Sequence, residues 1–139
     1  ITTMKKSPIP KSISLSKVQK YELRGIKAVA KRAEIMAKTY LKNKYNSAEF
    51  IIPPTKGADI TIKVRQKIMD FEVKGTKDKS IALNKLKVSS KDSYELIKSG
   101  IIVIRIMEAH TNKPSVAELK YGEHFELKLE PRWRAKYSS

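Results

Sequence analysis

Gly57-Ala58-Asp59-Ile60-Thr61-Ile62-Lys63-Val64, followed by Ile68-Met69-Asp70-Phe71-Glu72-Val73-Lys74-Gly75-Thr76, is the stretch on which the fold turns. Ile60, Ile62 and Val64 alternate with polar residues, and so do Met69, Phe71 and Val73, the period-two pattern of strands with one face against a core. An antiparallel hairpin that sets Ile60 against Val73, Ile62 against Phe71 and Val64 against Met69 gathers every apolar pair on one face. Its other face carries Asp59 against Lys74, Thr61 against Glu72 and Lys63 against Asp70, so that Asp59 and Glu72 become diagonal neighbours. Sliding the register by one residue would put Asp59 opposite Val73 and split the carboxylates across the sheet. Lys63 and Asp70 read as a solvated ion pair.

Upstream, residues 1–17 hold Pro8, Pro10 and repeated serines without periodicity, and read as an arm or linker. Residues 18–139 read as one domain. Leu23, Ile26, Ala30, Ala33, Ala37, Tyr40 and Leu41 recur at three- and four-residue steps and predict one helix over 18–43. Glu22 and Glu34 fall on or beside that stripe. A short strand is expected over 49–52, then a turn at Pro53-Pro54-Thr55-Lys56-Gly57.

Downstream, a strand is expected near 80–83, and Ser89 or Ser90 caps a helix running to Ser99 before Gly100. Ile101-Ile102-Val103-Ile104-Arg105-Ile106 is nearly all β-branched, as in a buried central strand. The order strand, helix, strand predicts a parallel crossover. Residues 110–114 form a loop, and Phe125, Leu127 and Leu129 alternate as a final strand before the basic tail.

The chain has 139 residues, 30 Lys and Arg against 14 Asp and Glu, and a net charge of +16, which predicts a polyanionic partner. The basic residues are spread along the chain rather than gathered on one amphipathic helix, which argues against a membrane surface. No apolar run approaches the roughly 18 residues of a membrane span. Without cysteine there is no disulfide, thiolate metal site or cysteine nucleophile. An intracellular, cytoplasmic location is expected. The chain opens on Ile1 rather than methionine, which predicts a longer parent protein or a removed tag.

Asp59 and Glu72 offer hard oxygen ligands for Mg²⁺, and Lys74 shares their face, where its ammonium can orient a water or offset developing charge. Two acids and a lysine on paired strands are a minimal set for metal-assisted phosphodiester cleavage. Lys77 and Lys79 follow in a loop, and Ser89, Ser90 and Lys91 open a helix whose amides can receive a phosphate. Arg132, Trp133, Arg134 and Tyr137 interleave charge with aromatics, a usable nucleic-acid surface, although Trp133 can equally plug a core. His110 and His124 have no partner at ligand spacing, which disfavours a zinc site.

Gly57-Ala58-Asp59-Ile60 and Phe71-Glu72-Val73-Lys74-Gly75-Thr76 resemble the PD-(D/E)xK nuclease superfamily, with Ala58 where its shortest motif has proline. Gly25, Ala33-Glu34 and Tyr40-Leu41 are similar to its N-terminal helix, and the likeness extends over residues 25–106. It implies an α/β restriction-endonuclease-like core, a mixed central sheet flanked by helices, with Mg²⁺-dependent DNA cleavage in which Mn²⁺ can substitute. It also implies Glu34 as a third metal ligand beside Asp59 and Glu72, although Lys38, four residues on, offers Glu34 a helix ion pair. The expected activities are a restriction-type or defence endonuclease, or a Holliday-junction resolvase of the same superfamily. A non-catalytic nucleic-acid-binding module and a basic RNA-associated protein are the other classes. Cutting both strands of a duplex predicts a homodimer or paired action.

Overall fold

A computed structural model describes residues 2–55, 57–86, 88 and 90–127. Its centre is a mixed six-stranded sheet in the order β2-β7-β6-β5-β4-β3, made of β2 (Lys11–Ser12), β3 (Glu49–Phe50), β4 (Ile60–Val64), β5 (Lys67–Gly75), β6 (Ile102–Met107) and β7 (Ser115–Lys120). Only β5 and β6 run parallel. A separate ribbon pairs β1 (Thr2–Met4) with β8 (Phe125–Leu127). The chain is therefore α/β with a mixed sheet. The parallel connection from β5 to β6 passes through α3 (Lys91–Lys98), as the strand-helix-strand order predicts.

Each face of the sheet has its own core. Ile60, Ile62, Phe71, Ile104 and Ile106 project to one side, where α1 (Lys17–Arg24) contributes Leu23 and α2 (Val29–Lys44) contributes Ala33, Met36, Ala37 and Leu41. Val103, Met107, Ala117 and Leu119 project to the other, beneath Ile97 of α3, Leu83 and Leu86 of a 3₁₀ turn, and Phe125 of β8. No helix among the described residues is long and apolar enough to cross a membrane.

Several expectations need correction. The hairpin keeps its predicted faces, but its register moves two residues: Ile60 faces Phe71, Ile62 faces Met69, and Val64 faces Lys67 across a turn of only Arg65 and Gln66. Lys63 consequently faces Ile68, and Asp70 faces Thr61. Asp70 accepts hydrogen bonds from the Thr55 and Thr61 hydroxyls at 2.5 and 2.6 Å instead of pairing with Lys63.

The single predicted helix is two. Ser16 and Gln19 form a reciprocal capping box at the start of α1, which stops at Gly25. Beyond this break Arg32, 5% exposed, bonds the carbonyls of Leu23 and Ile26 as well as those of Ala109 and Thr111, supplying the donors that a continuous helix would have given.

The predicted strand near 80–83 is absent: Ala82 adopts a left-handed backbone (φ 49°) and leads into the turn Leu83–Lys85. β7 was not anticipated from the sequence. The stretch read as an arm supplies β1 and β2, and Ile13 reaches the first core. Glu22 is exposed on α1. Leu129 and the tail residues Arg132, Trp133, Arg134 and Tyr137 lie outside the described residues.

Candidate active site

β4 ends its ladder at Ile60, whereas β5 continues to Gly75 beside β6. This unequal length opens a notch in the sheet, and Asp59 fills it. Its amide donates to Phe71 O at 3.0 Å, and its Oδ2 accepts the Val73 amide at 2.8 Å. A side chain thus replaces the strand as hydrogen-bond partner, fixing the carboxylate at the sheet's broken edge.

Glu72 lies on the α3 face and is 3% exposed. Its Oε2 is buried, with no hydrogen-bond partner among the described residues. Burial, followed by hydrogen bonding and charge repulsion from Asp59, pushes the Glu72 pKa up to about 8. Lys74 and the Ser93 hydroxyl pull the other way, placing an ammonium and the first turn of α3 beside the same carboxylate. The like charge of Asp59 thus favours the protonated form of Glu72.

α2 is brought to this notch by a close approach of backbone and side chain. A Cβ on Gly75 would stand 2.6 Å from Ala33 Cβ, so only glycine lets the helix settle here. One residue on from Ala33, Glu34 faces a depression of about 410 Å³ shared with Ala30, Lys31, Asp59 and Val73. Glu34 is half exposed and pairs with Lys38 at 4.0 Å. Among the described residues no three His, Asp or Glu side chains converge as a metal-binding group. The structure therefore brings Asp59, Glu72 and Lys74 together and leaves Glu34 across the depression.

The remaining predicted contacts are dispersed. Lys77 and Lys79 are exposed in the loop after β5. Ser90 caps α3 by accepting the Ser93 amide at 3.1 Å, and Lys91 lies 3.9 Å from Glu95. Ser89, Arg132 and Arg134 lie outside the described residues. His124 Nδ1 accepts the Lys120 amide at 2.9 Å. Ser93 and Lys31 belong to the neighbourhood and were not singled out from sequence; only Ser93's place three residues after the cap pointed to it. No family model, curated protein or solved structure matches the chain.

Proposed function

We propose that the chain is a metal-dependent nuclease that hydrolyses phosphodiester bonds in DNA, within a restriction-type enzyme or the nuclease domain of a larger defence protein. The observation that carries this reading is Glu72, a buried carboxylate with an unpartnered oxygen, held against Asp59 beside Lys74. Burying an acid next to another acid destabilises a fold, and it makes sense where a cation replaces the proton between them.

The donor set fits Mg²⁺, a hard ion that takes carboxylate oxygens and retains several waters, and Mn²⁺ fits the same ligands. Asp59 and Glu72 would hold it, with Glu34 as a candidate third ligand from across the depression. Bound there, the ion supplies a polarised water and neutralises charge on the phosphoryl group. Asp59 keeps its aim through the Val73 amide. The Lys74 side chain offsets charge that develops on the phosphate oxygens. The excess of cations, with Lys77, Lys79, Ser90 and Lys91 as nearby candidates, attracts the DNA backbone. Double-strand cutting requires a second chain or a second engagement.

Supercoiled plasmid, linear duplex and four-way junction DNA, each with and without Mg²⁺, provide the test. The proposal expects Mg²⁺-dependent cleavage that Asp59→Ala, Glu72→Ala and Lys74→Ala each abolish, with binding retained. Full activity in any one of these variants would remove that residue from the site. Cleavage confined to the junction would identify a resolving enzyme instead. Salt-sensitive binding with no cleavage in either metal would identify a non-catalytic module.

A further inference from the structure

Val73, Met69 and Val64 project from the same face of the sheet, the one covered by α2. Val73 lines the depression that holds Asp59 and Lys31. Farther along, where the β4–β5 turn meets the end of α2, Val64 and Met69 line a groove of about 980 Å³. Among the described residues its charged lining is Lys44, Arg65 and Lys67, with no carboxylate. Lys44 is committed to Glu118 at 2.5 Å and to Tyr40 by that shared carboxylate. The Arg65 and Lys67 side chains are exposed and make no hydrogen bond or ion pair among the described residues. Neither does Lys31 at the other end.

The two depressions lie at opposite ends of α2 and β5. From Lys67 to Val73 the strand extends about 20 Å. From Lys31 to Lys44 the helix rises about 20 Å. That separation corresponds to roughly six base pairs of B-form rise. Lys38 and Lys42 lie on α2 between the two ends at helical spacing from Lys31, but both are engaged, Lys38 with Glu34 at 4.0 Å and Lys42 with the Ala48 carbonyl at 2.8 Å. On the opposite face Lys85 pairs with Asp78 at 3.0 Å and Lys91 with Glu95 at 3.9 Å, both as exposed ion pairs.

We infer that the surface running along α2 to the β4–β5 turn carries the nucleic-acid backbone, Lys31 holding a phosphate beside the carboxylates while Arg65 and Lys67 hold the same duplex at the far groove. This rests on the reading of the chain as acting on DNA, and it deepens that reading by naming a contact surface the sequence did not indicate. The sugar-phosphate chain is the recognised chemistry; no base-reading element is required of these three side chains.

Anisotropy of a labelled DNA duplex longer than one helical turn tests it, measured without divalent ions over a salt series. Glu72→Gln serves as the non-cleaving background. Arg65→Asn with Lys67→Ala is then added, asparagine because Arg65 has a left-handed backbone (φ 58°). The expected result is binding weakened about tenfold or more near physiological salt, with the salt slope shallower by about two, one for each phosphate contact. Lys17→Ala with Lys20→Ala removes the same charge from α1 and should change binding less than about threefold. Equal losses in the two pairs would mean that net charge alone governs binding, and would overturn the inference. Competition by polyglutamate as strong as by DNA would make the groove a site for acidic protein and overturn it too. Normal binding in the Glu72→Gln background, with normal cleavage when Arg65→Asn and Lys67→Ala are made in the chain that keeps Glu72, rejects the surface and leaves the nuclease standing. Weakened binding by a chain that never cleaves keeps the surface and rejects the nuclease.

Discussion

Asp59 Oδ2 accepts the backbone amide of Val73 at 2.8 Å, in the gap where β4 has ended and β5 continues. One carboxylate thereby completes the strand and offers its remaining valence to the site, which separates two kinds of substitution. Asp59→Asn retains a carbonyl acceptor for Val73 and should unfold within about 1 kcal/mol of the parent. Asp59→Ala leaves that amide without its partner and should cost about 1–3 kcal/mol. Both should lose metal-dependent cleavage. Chemical denaturation alongside plasmid nicking checks the division, and equal stability of the two variants would deny the structural half of the role.

Glu72 makes the metal-free protein pH-sensitive in a definite direction. Its carboxyl is raised from 4.5 to about 8, chiefly by burial and then by Asp59, so the folded chain binds this proton more tightly than the unfolded chain. The stability it contributes is complete below about 4.5 and is lost as pH climbs through about 8. Glu72→Gln removes the titration and should melt higher than the parent at alkaline pH, by roughly 5 °C. Mg²⁺ should raise the melting temperature of the parent most in that same alkaline range and leave Glu72→Gln unmoved. Thermal melts across pH, with and without the ion, supply the check; a parent and variant that track each other throughout would deny the coupling.

The two faces of the hairpin were legible because Ile60, Ile62, Phe71 and Val73 alternate, and a shift of two residues preserves that alternation. The offset itself was not. It depends on a two-residue turn in which Arg65 takes a left-handed backbone, without the glycine or asparagine that usually marks such a turn. Ser90 and Gly100 bounded α3 openly, since a cap and a left-handed glycine leave chemical signatures. Arg32 left none: a buried arginine that caps broken helix ends looks, in sequence, like one more surface cation. β7 was hidden because Val116, Ala117 and Leu119 do not alternate cleanly and face cores on both sides of the sheet. In the candidate site, spacing pointed to Asp59, Glu72 and Lys74 as neighbours, whereas Ser93 and Lys31 arrive through tertiary packing.

Arg105 shows how the loop after Lys74 is held. It is 2% exposed and donates to the carbonyls of Ile81 at 2.8 Å, Ala82 at 3.0 Å and Gly75 at 3.4 Å. Burial lowers its pKa to about 10, and Asp78 partly restores it. Arg105→Met fills similar space but leaves those acceptors unpaired, which should cost at least about 2 kcal/mol. Because its partners bracket residues 75–82, the loop bearing Lys77 and Lys79 should exchange amide hydrogens faster while α2 does not. Unaltered exchange in that loop would show that Arg105 does not anchor it.

Gly75 and Ala33 set the distance between α2 and the strand that carries Glu72 and Lys74. A Cβ at Gly75 would meet Ala33 Cβ at 2.6 Å and Val29 Cγ1 at 3.3 Å, closer than packed carbons tolerate. Gly75→Ala must therefore lift the helix, at about 1–3 kcal/mol. Lifting α2 also carries Lys31 and Glu34 away from Asp59, so cleavage should fall even where the protein remains folded. Ala33→Gly makes room opposite and costs only about 1 kcal/mol as a helix substitution. Combined, the two changes should be less damaging than their separate costs predict, with cleavage partly regained. A double-mutant cycle in denaturation energy, run beside the cleavage assay, measures this directly. Strict additivity would mean that the contact does not position the helix over the site.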